Sequence, residues 1–385
     1  MCQGMKPSVQ KTEYKQQTYF DYSLMFITLI LICIGLVMVY STSSYYAVKQ
    51  KFGSAGYFFW RQLLFAGVGF AAMLFVAKFD YFWFIKRIGK RKLRLIGLVY
   101  FVCLGLQMFV LFFGKEVKGA RRWIEIPLLG TFQPSEVTKI GVILFVAFVV
   151  YSAPRSLDNL WGFVRVIIFV SPLIVAVGAE NLSTALVLCG ITFVICFVVA
   201  RRKSYYFVVF GLAAAVLVAF IAFGGGFRSD RFDAWRNVET HEKGYQILQG
   251  LYAIASGGLW GKGLGNSMQK LGFIPESHND MIFSIICEEL GLIGALAIIL
   301  LYVLLLWRLF VIASNAKDLY GSLICVGIMV HIALQVIMNI AVVTNTIPST
   351  GIPLPFISYG GSSLIVLMSE MGLALSVSGR IEFER

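Results

Sequence analysis

The chain is 385 residues long and 58% hydrophobic, with 15% aromatic and only 14% charged residues, and its mean hydropathy is +0.80. A soluble core cannot absorb that much apolar surface, so the composition excludes an ordinary soluble domain and describes a polytopic membrane protein. A net charge of +13 in such a chain reflects basic loops that hold one side of the bundle in place rather than a nucleic-acid surface.

Residues 1–22 form a polar amino-terminal tail with Lys6, Lys11 and Lys15, and the apolar run from Ser23 to Tyr40 follows as a first span. Further spans are expected at 57–77, 95–113, 136–152, 163–179, 183–200, 205–223, 281–307, 321–343 and 355–377. The expected fold is therefore all-α, about ten transmembrane helices in a domain covering 23–378, with a short tail at 379–385. Most of the cysteines fall inside apolar runs without metal-ligand spacing and read as small fillers.

Loop charge sets the expected orientation. Lys78, Lys86, Arg87, Lys90, Arg91, Lys92 and Arg94 crowd the second connection, and Arg201, Arg202 and Lys203 the sixth. Placing both in the cytoplasm puts the two chain ends there too. It leaves 114–135, the turn near Glu180, 344–354 and a large loop at 224–280, between helices 7 and 8, on the outer face. Those stretches are the richest in polar, glycine and proline residues, so function is expected outside.

The outer connection GKEVKGARRWIEI breaks the charge rule with Lys115, Lys118, Arg121 and Arg122. Adjacent guanidiniums beside Trp123 suit an anionic headgroup through planar, bidentate hydrogen bonds. The plainer reading is an interfacial anchor resting on membrane lipids. In TFQPSEVTK, Pro134 and Ser135 start a helix on which Glu136 lies three residues before Lys139, a spacing that faces both to one side. Asn181 or Ser183 can cap the helix of AENLSTALVL.

The long loop ends in PESHNDMIFSIICEELG, where Asp280 stands at the junction of polar loop and apolar helix. An ionisable group in that place is the first candidate for chemistry, although Asn279 and Asp280 could equally cap the helix amides. Glu288 and Glu289 are expected roughly 12 to 14 Å deeper along the same helix, with at least one facing the interior. His331, Gln335 and Asn339 form an i, i+4, i+8 stripe suited to hydrogen bonds between helices. The closely spaced glycines from Gly257 to Gly265 match no nucleotide-binding pattern. In NTIPSTGIPLPFISYGG three prolines impose a rigid, non-helical segment.

Taken together, GARRWI, FQPSEVTK, GLYAIASGGLWGKGLGNSMQKLGFIPESHNDMIFSIICEELGLIG and PSTGIPLPFISYGGSSLI resemble the shape, elongation, division and sporulation family of FtsW, RodA and SpoVE. They do so in the family's order and across nearly the whole chain. AENLSTALVL stands where many relatives have a Gln-Pro-Asp-Leu-Gly-Thr-like stretch, and HND replaces the commoner His-Thr-Asp, yet the aspartate is kept. ISYGGSS and GLGNSMQKLGFIPE look closer to the division and sporulation branch.

The resemblance implies a glycosyltransferase that polymerises lipid II into peptidoglycan at the outer face of the bacterial cell membrane. It implies a class B penicillin-binding transpeptidase and other divisome components as partners, and no nucleic acid. On that reading Asp280 is the catalytic base. Arg121, Arg122 and Lys139 neutralise the donor diphosphate, with or without a divalent cation such as magnesium or manganese, whose ligands the sequence leaves unknown. Trp123, Gln133, Ser135 and Ser358 are further expected substrate contacts, and Glu136, Glu288, Glu289 and His278 supporting polar residues. Two other readings stay open: a lipid II flippase, with functional residues spread through both leaflets, and a scaffold that activates the transpeptidase.

Overall fold

The computed structural model describes residues 20–86, 94–117, 120–126, 130–209, 211–212 and 229–381. Its helices are α1 (Tyr22–Lys49), α2 (Tyr57–Lys78), α3 (Leu95–Phe113), α4 (Pro134–Ser152), α5 (Leu160–Glu180), α6 (Leu182–Val199), α7 (Ser229–Arg236), α8 (Tyr245–Gly257), α9 (Ile282–Asn315), α10 (Leu319–Val343) and α11 (Gly361–Ser378). Nine of them are long and apolar enough to cross a membrane among the described residues. Most of the expected helix at 205–223 falls outside those residues, as do most of the tails.

Helix boundaries follow local chemistry. Pro134 opens α4 at its first turn, where its fixed φ suits a helix and its missing N–H costs no hydrogen bond. Asp21, Asn181 and Asp318 each accept a hydrogen bond from a first-turn amide of α1, α6 and α10, replacing partners that the helix cannot supply. Whereas a span was expected from 355, α11 begins at Gly361. Pro353 and Pro355 hold the chain before it out of helical geometry. At its other end α1 runs nine residues beyond the expected Tyr40, through STSSYYAVK to Lys49.

One element departs from the all-α expectation. The chain from 115 to 132 forms a small antiparallel sheet of β1 (Lys115–Val117), β2 (Ala120–Ile126) and β3 (Gly130–Phe132) in the order β1-β2-β3. Arg121 pairs with Glu116 and Trp123 with Lys115 in its register. Opposite charges directly across strands favour that register.

Burial separates central from peripheral helices. The apolar windows of α4, α10 and α11 are 61%, 67% and 72% enclosed by protein, against 22% for α3, so the first three form the centre and α3 turns its surface outward. Close approach helps: at Gly372 of α11 a Cβ would lie 2.6 Å from the carbonyl oxygen of Met73 in α2, so a side chain there would push the two helices apart.

The two ends of the bundle differ. At one end Asp21 pairs with Arg308, Asp80 with Arg380, Tyr81 with Asp318, and the amide of Arg201 with Asp158. This basic face gathers the connections on which the charge rule was read. The opposite end, here the loop face, collects the sheet, the α5–α6 turn, the segment 229–281 and the turn 344–360.

Candidate active site

Asp280 is half-buried, in a turn ahead of α9. It does not hold the N-cap position of α9, which falls to Met281. Instead, its segment is fastened through three successive carbonyls. Tyr359 N–H donates to the His278 oxygen at 2.9 Å, Ser358 Oγ to the Asn279 oxygen at 2.7 Å, and Asn339 Nδ2 to the Asp280 oxygen at 2.8 Å. Buried carbonyls left without donors would be costly, so these bonds fix the path of the main chain. The carboxylate lies over the turn before α11, where a Cβ added to Gly351 would be 3.8 Å from Asp280 Oδ2.

His278 is 2% exposed and sits among the rings of Phe58, Tyr46 and Tyr359, with centroids 4.6, 5.3 and 5.6 Å away. Burial among these rings pulls its pKa down to about 4, against a smaller raising pull from Glu276, so the imidazole is neutral near pH 7. Ser358 is also enclosed. Besides its bond to Asn279, its hydroxyl accepts from the Leu354 amide at 2.8 Å, so it acts within the fold as a clasp between the two loops.

Glu288 and Glu289 are both fully buried, on the unbroken helical stretch that follows the Asp280 turn, and that stretch ends just beyond them. At Gly291 the backbone breaks, with φ 69° and ψ −171°, a region essentially confined to glycine. Gly258 and Leu259 carbonyls accept from the Leu292 and Ile293 amides there, while the Lys262 and Gly263 amides donate to the Glu288 and Glu289 carbonyls. The helix 282–290 is therefore a separate unit lying against α8 and its following loop, and 292–315 makes the crossing.

Each carboxylate meets a loop lysine. Lys262 Nζ is 2.7 Å from Glu288 and Lys270 Nζ is 2.8 Å from Glu289. Ser267 Oγ bonds Glu288, and Ser41 Oγ, from the extended end of α1, donates to Glu289 at 2.7 Å. Sequence reasoning missed these partners, which glycine-rich turns bring back from 26 and 19 residues away.

The arginines form a second cluster on the loop face. Arg121, Arg122, Gln133 and Ser135 line one small cavity with Gln107, Glu180 and Asn181. Glu180 accepts from the Arg121 amide at 2.6 Å through its carboxylate and from Arg122 Nε at 2.8 Å through its carbonyl, which orients both residues. Trp123 is partly buried in β2 and is not among the lining side chains. Glu180 and Gln107 were missed as site residues. The signal available was a lone acid closing one apolar run and a lone amide inside another.

Lys139, 1% exposed, is paired with Glu136 at 2.9 Å, so its charge is balanced inside the bundle and the cavity's positive character comes from the arginines. Glu136 also accepts from Ser363 of α11 at 2.8 Å. Beside this pair a second small cavity is lined by Gln335, Ser358, Tyr359, Gly360 and Ser363, among others. His331 Nδ1 lies 2.8 Å from Glu370. Polar side chains of α4, α10 and α11 thus make a seam from the bundle centre to the Asp280 turn. Among the described residues no three His, Cys, Asp or Glu side chains converge on a metal site.

Nine candidate spans among the described residues, packed around a polar seam with the Asp280 turn and an arginine cavity at one end, define a multi-pass membrane protein whose candidate site lies at the mouth of the bundle. A family model for the FtsW, RodA and SpoVE cell cycle proteins matches residues 22–382, and the chain belongs to that family. Stage V sporulation protein E of Bacillus subtilis (strain 168) is 40% identical over 94% of this chain and 98% of its own. The probable peptidoglycan glycosyltransferase FtsW of Geobacter sp. (strain M18) is 36% identical over 94% and 97%. Among solved structures, a chain from work on coordinated polymerization and crosslinking by a peptidoglycan synthase complex matches with a TM-score of 0.74. It is 26% identical, over 93% of this chain and 97% of that one. The rod shape determining protein RodA of Thermus thermophilus matches with a TM-score of 0.66 at 26% identity, over 95% and 98%.

Proposed function

We infer that this protein is a peptidoglycan glycosyltransferase that polymerises lipid II at the outer face of the bacterial cytoplasmic membrane, for cell division or the sporulation septum. Its loop face is then extracellular, both chain ends are cytoplasmic, and a class B penicillin-binding transpeptidase is its partner. The observation that carries the mechanism is Asp280: a carboxylate on a turn fastened through three consecutive carbonyls, one position ahead of the N-cap of the helix that follows.

In the reaction, Asp280 accepts the proton of the acceptor sugar hydroxyl as that oxygen bonds to the donor anomeric carbon. The bond from that carbon to the diphosphate breaks, and undecaprenyl diphosphate leaves with the electron pair. A positioned base contributes about 10² to 10⁴-fold. Arg121 and Arg122 stabilise the charge that grows on the diphosphate, since fixed cationic donors act most strongly where charge develops. Gln133 and Ser135 orient the same group within the arginine cavity. The pairs Lys139–Glu136, Lys262–Glu288 and Lys270–Glu289 hold the walls.

The test is polymerisation of fluorescent lipid II by the purified protein, alone and with its transpeptidase, comparing wild type with Asp280→Asn. Wild type makes strands, and the variant loses at least about 10²-fold in rate while binding lipid II as before. Equal activity in the two would overturn the base assignment. Absence of strands from wild type even with its partner would overturn the enzyme reading.

A further inference from the structure

The polar stripe of α10 ends at Asn339, a residue 1% exposed that hydrogen bonding between helices does not account for. Its Nδ2 donates to two main-chain carbonyls, Asp280 O and Ile352 O, each at 2.8 Å. A carboxamide nitrogen carries two N–H groups, and both are used here. Ile352 directly follows Gly351, the residue over which the Asp280 carboxylate lies. One side chain therefore ties the backbone of Asp280 to the backbone of the turn beneath its carboxylate.

We propose that Asn339 is a positioning residue for the transferase reaction: by bridging Asp280 O and Ile352 O it fixes the spacing between the base and the turn before α11. This rests on Asp280 being the base. Asn339 itself meets no substrate. Its effect is on where the carboxylate stands relative to the acceptor hydroxyl, and rates depend steeply on such placement, with a displacement of about 1 Å costing on the order of 10²-fold. The side chain is specific for this task. Aspartate has the same shape but no N–H to donate and would set a carboxylate against two carbonyl oxygens. Glutamine keeps both N–H groups on an arm one methylene longer.

The test uses the full-length protein with its transpeptidase and lipid II, and reads kcat and KM separately for wild type, Asn339→Asp, Asn339→Gln and Asp280→Asn. Asn339→Asp is expected to lower kcat by about 10- to 100-fold with KM held within about twofold, the signature of lost transition-state geometry. Asn339→Gln is expected to recover part of that loss. Amide exchange in the Asp variant accelerates at 280–282 and 352–354 and stays at the wild-type rate in 292–315.

Wild-type kcat in Asn339→Asp overturns the proposal, as does a loss matched in every variant by a fall in the folded fraction. If Asn339→Asp fails to accumulate, Asn339→Gln decides alone: lowered kcat with unchanged KM supports positioning, and unchanged kcat overturns it. An inactive Asp280→Asn beside fully active Asn339 variants removes the positioning role only. A fully active Asp280→Asn removes the base and Asn339's role with it.

Discussion

His278, expected as a supporting polar residue, shows what its surroundings do to a titratable side chain. Beside Asp280 it looks like a polar helper, yet three aromatic rings surround it and burial holds its pKa at about 4. Its contribution to stability has a definite sign. The unfolded chain takes up a proton near the ordinary histidine value of about 6.5, well before the folded protein does. Stability is therefore fully present above that value and falls as pH drops toward 4, because the unfolded state binds the proton first. Melting midpoints of the detergent-solubilised protein should decline through this window, and His278→Phe should flatten the part of the decline that histidine causes. An unchanged slope in that variant would mean that other groups set the acid limb. Asp280 was legible from sequence by its place at a polar–apolar junction. Asn339 was legible only as part of a stripe, since nothing in a spacing of four reveals a donation to a carbonyl 59 residues away.

Hydropathy located the spanning elements because an apolar run of sufficient length has few other uses, and α2, α3 and α4 begin within a few residues of where they were expected. What it could not see was the break at Gly291, since IFSIICEELGLIGALAIILL reads as one long apolar run interrupted only by the glutamate pair. The sheet at 115–132 was invisible for the opposite reason: its strands are short and mixed in charge, so no period of two stands out. The break can be tested. In Gly291→Ala the residue would have to hold φ 69° with a Cβ 2.4 Å from the Gly261 nitrogen. The backbone alone costs about 1–3 kcal/mol. The variant should melt lower than wild type and lose polymerisation, because 282–290 carries the Asp280 turn at its start. Gly105→Ala in α3, where a Cβ meets nothing within 4 Å, serves as the neutral control. Equal melting midpoints for the two variants would mean that the loop yields at Gly261 without strain.

Across the whole molecule the two faces differ in how their charges are used. On the basic face, arginines and aspartates clasp the ends of helices far apart in sequence, as in Asp21–Arg308 and Asp80–Arg380. Arg201, Arg202 and Lys203 stand exposed beside them. On the loop face Lys262 and Lys270 of the long loop pair with Glu288 and Glu289, and the basic strand β2 turns toward a cavity. On the charge rule, basic residues that retain a loop on one side remain on the surface, whereas those engaged with carboxylates or a cavity need not. The orientation has a direct test in a chain whose seven cysteines have been replaced. A single cysteine at Leu264, 55% exposed on the loop face, should react with a membrane-impermeant maleimide in intact cells. A single cysteine at Ser204, exposed at the basic face, should react only after the membrane is opened. Labelling of Ser204→Cys in intact cells, with Leu264→Cys protected, would invert the bundle. Asp280 would then lie on the side of the membrane where strands are not built, and the polymerase reading would fail with it.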